Sequence, residues 1–190
     1  SDMVFHTFKG SFLLSDDNLS VHPLYQKYAG KEVYTLINMT LKGDDSTNVR
    51  ISRLTPMKIL KIRSQMGSEY AKVTLSDVES GKTYTKEVLF KNRNRIGITD
   101  SERDLYIDNI FGLGNPHKMK GVRETNITDL RNGVVRTGFT SSEVRVAMGE
   151  PTSTGKSGAN TVWIYRSPSG SYEKKVFFNA KTMRVVRVVQ

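Results

Sequence analysis

At 190 residues the chain is long enough for one medium domain or two small ones. With 37% hydrophobic and 25% charged residues it reads as a soluble globular protein, and no apolar run approaches the roughly 20 residues that span a bilayer. It has no cysteine, which excludes disulfides, thiolate catalysis and Cys-ligated zinc, and its formal charge of +10 favours acidic proteins, anionic lipid headgroups or nucleic acid as partners.

The first residues, SDMVFHTF, lack the charged, apolar and cleavage-site regions of a secretory signal. From Val4 to Phe90 the signals are mostly β. LYQKYAG predicts one turn of helix closed by Gly30, and KEVYTLINMTLK then mixes β-branched and aromatic residues over a strand's length. KGDDSTN, Lys42 to Asn48, is turn chemistry. NVRISR, MKILKIRS, YAKVTLSDV and KTYTKEVLF predict further strands, the last two joined by a hairpin turn at Ser80-Gly81. This many short strands and tight turns predict a small antiparallel barrel or curled sheet, SH3-like in strand count and length. The basic polar stretch KNRNR, Lys91 to Arg95, ends the β pattern and sets the expected division into domains 1–95 and 96–190.

Beyond it TDSERDLYIDNIFG predicts a helix capped by Thr99 or Asp100 and ending at Gly112, and NITDLRNG a shorter one ending at Gly133. The next helix has both ends specified. Thr140 and Glu143 have the spacing of a capping box, Phe139 and Val144 that of a hydrophobic staple, and Gly149 with Pro151 stops the helix. TVWIYR, EKKVFFN and MRVVRVVQ then predict three strands. In Thr161–Arg166, alternation puts Val162 and Ile164 on one face and Trp163 and Tyr165 on the other, so neither face is polar and both need cover, from the N-terminal domain or a partner protein. Val176 and Phe178 against Phe177 repeat the feature. The expected class is α+β, a small antiparallel barrel or curled sheet followed by a two-helix, three-stranded antiparallel module.

The order Gly138-Phe139-Thr140, Glu143-Val144, Gly149-x-Pro151, Trp163-x-Tyr165, Val176-Phe177-Phe178 and a final Val-rich strand resembles the SmpA/OmlA (BamE) family of small bacterial outer-membrane proteins, over Gly133 to Gln190. Family members usually carry Met where Phe139 stands. The resemblance implies a two-helix, three-strand module in the bacterial cell envelope, at the periplasm or outer-membrane periphery, making protein contacts in outer-membrane assembly or reused as a generic domain elsewhere, and carrying no enzyme activity. The family's lipoproteins begin at a lipidated Cys, a residue type this chain lacks.

TGKSG, Thr154 to Gly158, invites a phosphate-loop reading, but the spacing from Gly149 is wrong and it follows a helix; a mobile polar connection accounts for its composition. His6, His22 and His117 are scattered without ligand spacing, so no metal site is expected. Asp16-Asp17 and Asp44-Asp45 sit among Ser, Asn and Gly and read as turn and capping residues. No Gly-x-Ser-x-Gly elbow occurs, and the sequons at Asn18, Asn38 and Asn126 are near chance frequency. No catalytic residue, cofactor or small-molecule substrate is expected. The expected interaction surface comprises Lys86, Lys91, Arg93 and Arg95 beside the domain junction, with Tyr165 and Phe177 on the second sheet. An envelope protein is the expected partner, and an electrostatic binder of anionic lipid or nucleic acid is the competing class, with few aromatic residues for base stacking.

Overall fold

A computed structural model describes residues 14–65, 67–90 and 105–190. The protein is mixed α+β and divides into two compact units, Ser1–Gly114 and Asn115–Gln190.

In the first unit, helices α1 (Asp16–Leu19) and α2 (Pro23–Tyr28) precede the sheet. α2 starts where Nδ1 of His22 accepts the Leu24 amide at 3.1 Å and Pro23 pre-sets the first turn, and it closes before Gly30, whose φ of +71° suits glycine. Strands β1 (Glu32–Thr35), β2 (Met39–Gly43), β3 (Asn48–Ile51), β4 (Pro56–Ser64), β5 (Tyr70–Asp77) and β6 (Thr83–Leu89) follow, then α3 (Ile107–Ile110) and β7 (Phe111–Leu113). They form one seven-stranded curled sheet in the order β3-β2-β6-β5-β4-β1-β7, every pair antiparallel. Period-two alternation sends Met57 and Ile59 of β4 and Ala71, Val73 and Leu75 of β5 to a fully buried inner face, where Leu14, Leu19, Tyr28, Ile107 and Ile110 join them. The expected turns hold: Asp45 accepts the Thr47 amide at 3.1 Å, and Asp77 Oδ1 accepts the amides of Glu79 and Ser80 at 2.8 and 2.9 Å.

Three expectations for this unit need correction. KEVYTLINMTLK is two strands, separated in the sheet by β4, β5 and β6. Its propensities are continuous, but Leu36–Asn38 leaves the ladder to serve Arg53: Leu36 O accepts Arg53 Nε at 3.0 Å and Asn38 Oδ1 accepts the Arg53 amide at 2.8 Å. Among the described residues the helix expected through Gly112 keeps one turn, Ile107–Ile110, and stops short of Gly112 because the chain from Phe111 pairs with β1 instead. Gly112 is opposite Tyr34 there, and a Cβ on it would lie 2.7 Å from Tyr34 Cε1, so this glycine makes room for a ring rather than stopping a helix. The first unit therefore runs to Gly114, past the boundary expected at residue 95, since β7 belongs to its sheet. Lys91–Arg95 and the expected cap at Thr99 or Asp100 lie outside the described residues.

The second unit opens with two short 3-10 turns, Pro116–Lys118 and Glu124–Asn126, then α4 (Ile127–Arg131) and α5 (Ser141–Met148). α4 ends before Gly133 at φ +69°, and α5 at Gly149 at φ +80°, as their sequences predict. Strands β8 (Ser153–Ser157), β9 (Asn160–Arg166), β10 (Glu173–Asn179) and β11 (Val185–Val189) form an antiparallel meander in the order β11-β10-β9-β8. The sheet has four strands where three were expected. The extra one is STGKS, read from sequence as a mobile connection, whose side chains are all exposed and whose partner across the turn is β9. A strand with both faces polar carries no alternation to recognise.

Candidate interaction surfaces

The start of α5 is built around one buried carboxylate. Thr140 Oγ1 accepts the Glu143 amide at 3.1 Å and Glu143 Oε1 accepts the Thr140 amide at 2.9 Å, which is the capping box written in the sequence. The Glu143 side chain is 0% exposed, and it also receives Arg123 Nη2 at 2.8 Å, the Arg123 amide at 3.2 Å and Asn126 Nδ2 at 2.6 Å. Burial alone would push this carboxyl up. The hydrogen bonds from Arg123, the Thr140 amide and Asn126 outweigh it and hold the group below the ordinary carboxylate range. A second Arg123 contact, Nη2 to Gly138 O at 2.9 Å, extends the network to the loop before the helix. The Asn126 sequon side chain is thus a structural donor.

Register separates the two faces of the second sheet. Trp163 opposes Val176 and Tyr165 opposes Lys174, so these residues and Phe178 share one face. That face packs within the unit: the Trp163 and Phe178 rings lie 4.6 Å apart, the Arg145 guanidinium of α5 lies 4.9 Å over the Trp163 ring, and Tyr165 Oη donates to Gly149 O at 2.9 Å. Burial, with the Glu150 carboxylate adding to it against Arg145, pushes the Tyr165 phenol well above its ordinary value. Tyr165 is 8% exposed and fastens β9 to the end of α5 instead of facing solvent.

Phe177 lies on the other face, opposite Val162 on β9 and Arg187 on β11. It is 7% exposed, with the Arg187 guanidinium 4.2 Å from its ring centroid. A register shift between Phe177 and Phe178 gives β11 one extra residue, and Val186 and Val189 are exposed to 42% and 41%. β11 is also an edge strand. Among the described residues its outer side is covered only at its start, where the Val185 amide and carbonyl pair with Phe139 O and Gly138 N at 2.8 and 2.7 Å.

Lys86 stands on β6 opposite Val73, half-buried, and borders a cavity of about 300 Å³ with Lys42, Lys72, Thr85 and Glu87. Lys91, Arg93 and Arg95 lie outside the described residues. Lys86 belongs to the first unit, and within the second unit Tyr165 and Phe177 point to opposite faces of the sheet. Among the described residues no three His, Cys, Asp or Glu side chains are placed to hold a metal ion. His117 pairs with Glu124 at 2.8 Å, and His22 stacks obliquely on Phe90 with ring centroids 5.1 Å apart.

Sequence reasoning missed the Arg123 and Asn126 contacts to Glu143, which lie up to 20 residues upstream of it with no periodic signal. It also missed the exposed end of β11, although alternation in VVRVV brings a valine to the open face wherever the bulge falls. No helix among the described residues is long and apolar enough to cross a membrane. No protein-family model, curated protein or solved structure matches this chain.

Proposed function

We propose that the protein is a non-enzymatic binding module of the bacterial cell envelope that holds another protein through the β11 side of its second sheet. The observation that carries this reading is exposed Val186 and Val189 on an edge strand, with Arg187 between them stacked on Phe177. An edge with unpaired backbone groups invites strand addition, and apolar side chains with an Arg beside them have the composition of an interface centre. Lys175 and the Arg166–Glu173 pair, 2.6 Å apart, supply a polar rim. The envelope location rests on the resemblance of Gly133–Gln190 to SmpA/OmlA proteins.

Photo-crosslinking in cells tests it. A crosslinker at Val186 or Val189 captures one envelope protein, while the same group at exposed Lys120 does not. Equal, diffuse capture from all three positions would remove the β11 side as the site.

A further inference from the structure

The outer face of the seven-stranded sheet carries ordered rows of charge that appear only once the strands are in register. One row runs Arg63–Lys72–Glu87 across β4, β5 and β6, and the next runs Lys61–Thr74–Thr85–Lys42–Asn48 and reaches β3. Lys58, opposite Ser76, and Arg50, opposite Thr40, extend the field at either end. All six cations are exposed, and none makes an ion pair or side-chain hydrogen bond among the described residues. Among the described residues only Glu32 and Glu87 stand opposite them in register on this face, and Glu87 already accepts Gln65 Nε2 at 2.7 Å. Arg63 and Lys72 are a directly opposed like-charge pair, an arrangement that costs stability and implies a use elsewhere.

In the middle of this field the ladder breaks. The register shift between Ile59 and Lys61 makes Leu60 an extra residue, so that Leu60 and Lys61 both come out to solvent in succession. Leu60 is 50% exposed, a large aliphatic side chain flanked by Lys58, Lys61 and Arg63. Cations on long stems around a protruding Leu match the headgroup boundary of an anionic bilayer, where phosphates neutralise the charges and the aliphatic group enters the acyl edge. A single-stranded nucleic acid calls for aromatic platforms instead, and among the described residues these rows hold none; Tyr70, two positions before Lys72 on β5, is half-buried.

We infer that this face, centred on Leu60 and carrying Lys42, Arg50, Lys58, Lys61, Arg63 and Lys72, docks the first unit onto an anionic lipid surface. The contact is separate from the β11 side, so either stands if the other fails.

The test is co-sedimentation of the full chain with phosphatidylcholine vesicles, with and without about 30 mol% phosphatidylglycerol. Binding is expected only with the anionic lipid. Replacing Lys58, Lys61 and Arg63 by Gln lowers partitioning roughly 100-fold, and Leu60→Ser lowers it about tenfold. Replacing Lys120, Lys156 and Lys181 by Gln removes the same net charge from the second unit and changes partitioning less than about threefold. Because the chain has no cysteine, a polarity-sensitive dye on Leu60→Cys reports insertion as a blue shift even if the triple variant fails to fold. Equal loss in the two triple variants, equal binding to neutral vesicles, or no shift of the dye would overturn the inference. So would tighter binding to DNA that depends on the same three cations, which would reassign the face to nucleic acid.

Discussion

Replacing Glu143 by Gln keeps the shape of the side chain but removes its charge from a site with no exposure, where Arg123, Asn126 and the Thr140 amide all donate to it. The amide nitrogen that replaces one oxygen must face a donor. Breaking a fully buried ion pair costs about 3–5 kcal/mol, but the Arg123 side chain is 45% exposed and rehydrates, so a smaller loss, about 2–3 kcal/mol, is expected. For a unit of this size that lowers Tm by roughly 10–20 °C. The chain has one Trp, Trp163, buried in the second unit beside α5, so its fluorescence follows the melting of that unit. The pH dependence has a definite sign. Glu143 titrates below its ordinary value in the folded protein, so its contribution is complete above the unfolded pKa of about 4.3 and is lost as pH falls through the folded pKa. The wild-type unit loses Tm in that acid window and Glu143→Gln loses less. A variant melting within about 2 °C of wild type, with the same acid profile, would refute the reasoning.

Gly112→Ala drives a methyl group into the Tyr34 ring and costs about 1–3 kcal/mol by urea unfolding; the cost shrinks in a Tyr34→Leu background, and an unchanged cost would mean the ring is not the obstacle. His22 is held below its ordinary pKa by burial, and its Nδ1 must stay unprotonated to accept the Leu24 amide. Its contribution is therefore present above the unfolded pKa of about 6.5 and is lost as pH falls through the folded value, whereas His22→Asn keeps a good cap and flattens that part of the Tm profile measured by far-ultraviolet circular dichroism. Trp163→Ala costs about 3–5 kcal/mol and unfolds the second unit selectively, read by limited proteolysis within Asn115–Gln190; unchanged protection with lost partner binding would make Trp163 an interface anchor instead.

Local signals were legible where the interaction closes within one turn. The α5 capping box, the Gly149 stop, the Gly133 stop and the Asp45 turn each involve residues a few positions apart, and each is where its sequence places it. Contacts closed by the fold were not legible. Arg123 and Asn126 meet Glu143 only after α4 and α5 pack, and the Leu36–Asn38 break depends on Arg53 arriving from the far end of β3. The polar strand Ser153–Ser157 gave no periodicity to read. Charge was legible as a total, but not as a surface: strict alternation would put Lys58 and Arg63, five residues apart, on opposite faces of β4, and only the bulge that exposes Leu60 brings both to the outer face, where the register joins them with Lys72 into rows.

The most direct test of the binding module is the affinity of the crosslinked partner for the full chain and for a Val186→Lys, Val189→Lys variant, each at about 0.05 and 0.2 M salt. A packed apolar edge predicts wild-type affinity that changes less than about threefold between the two salt concentrations and falls at least about tenfold in the variant. Affinity that drops by orders of magnitude with salt and is indifferent to both substitutions would contradict it.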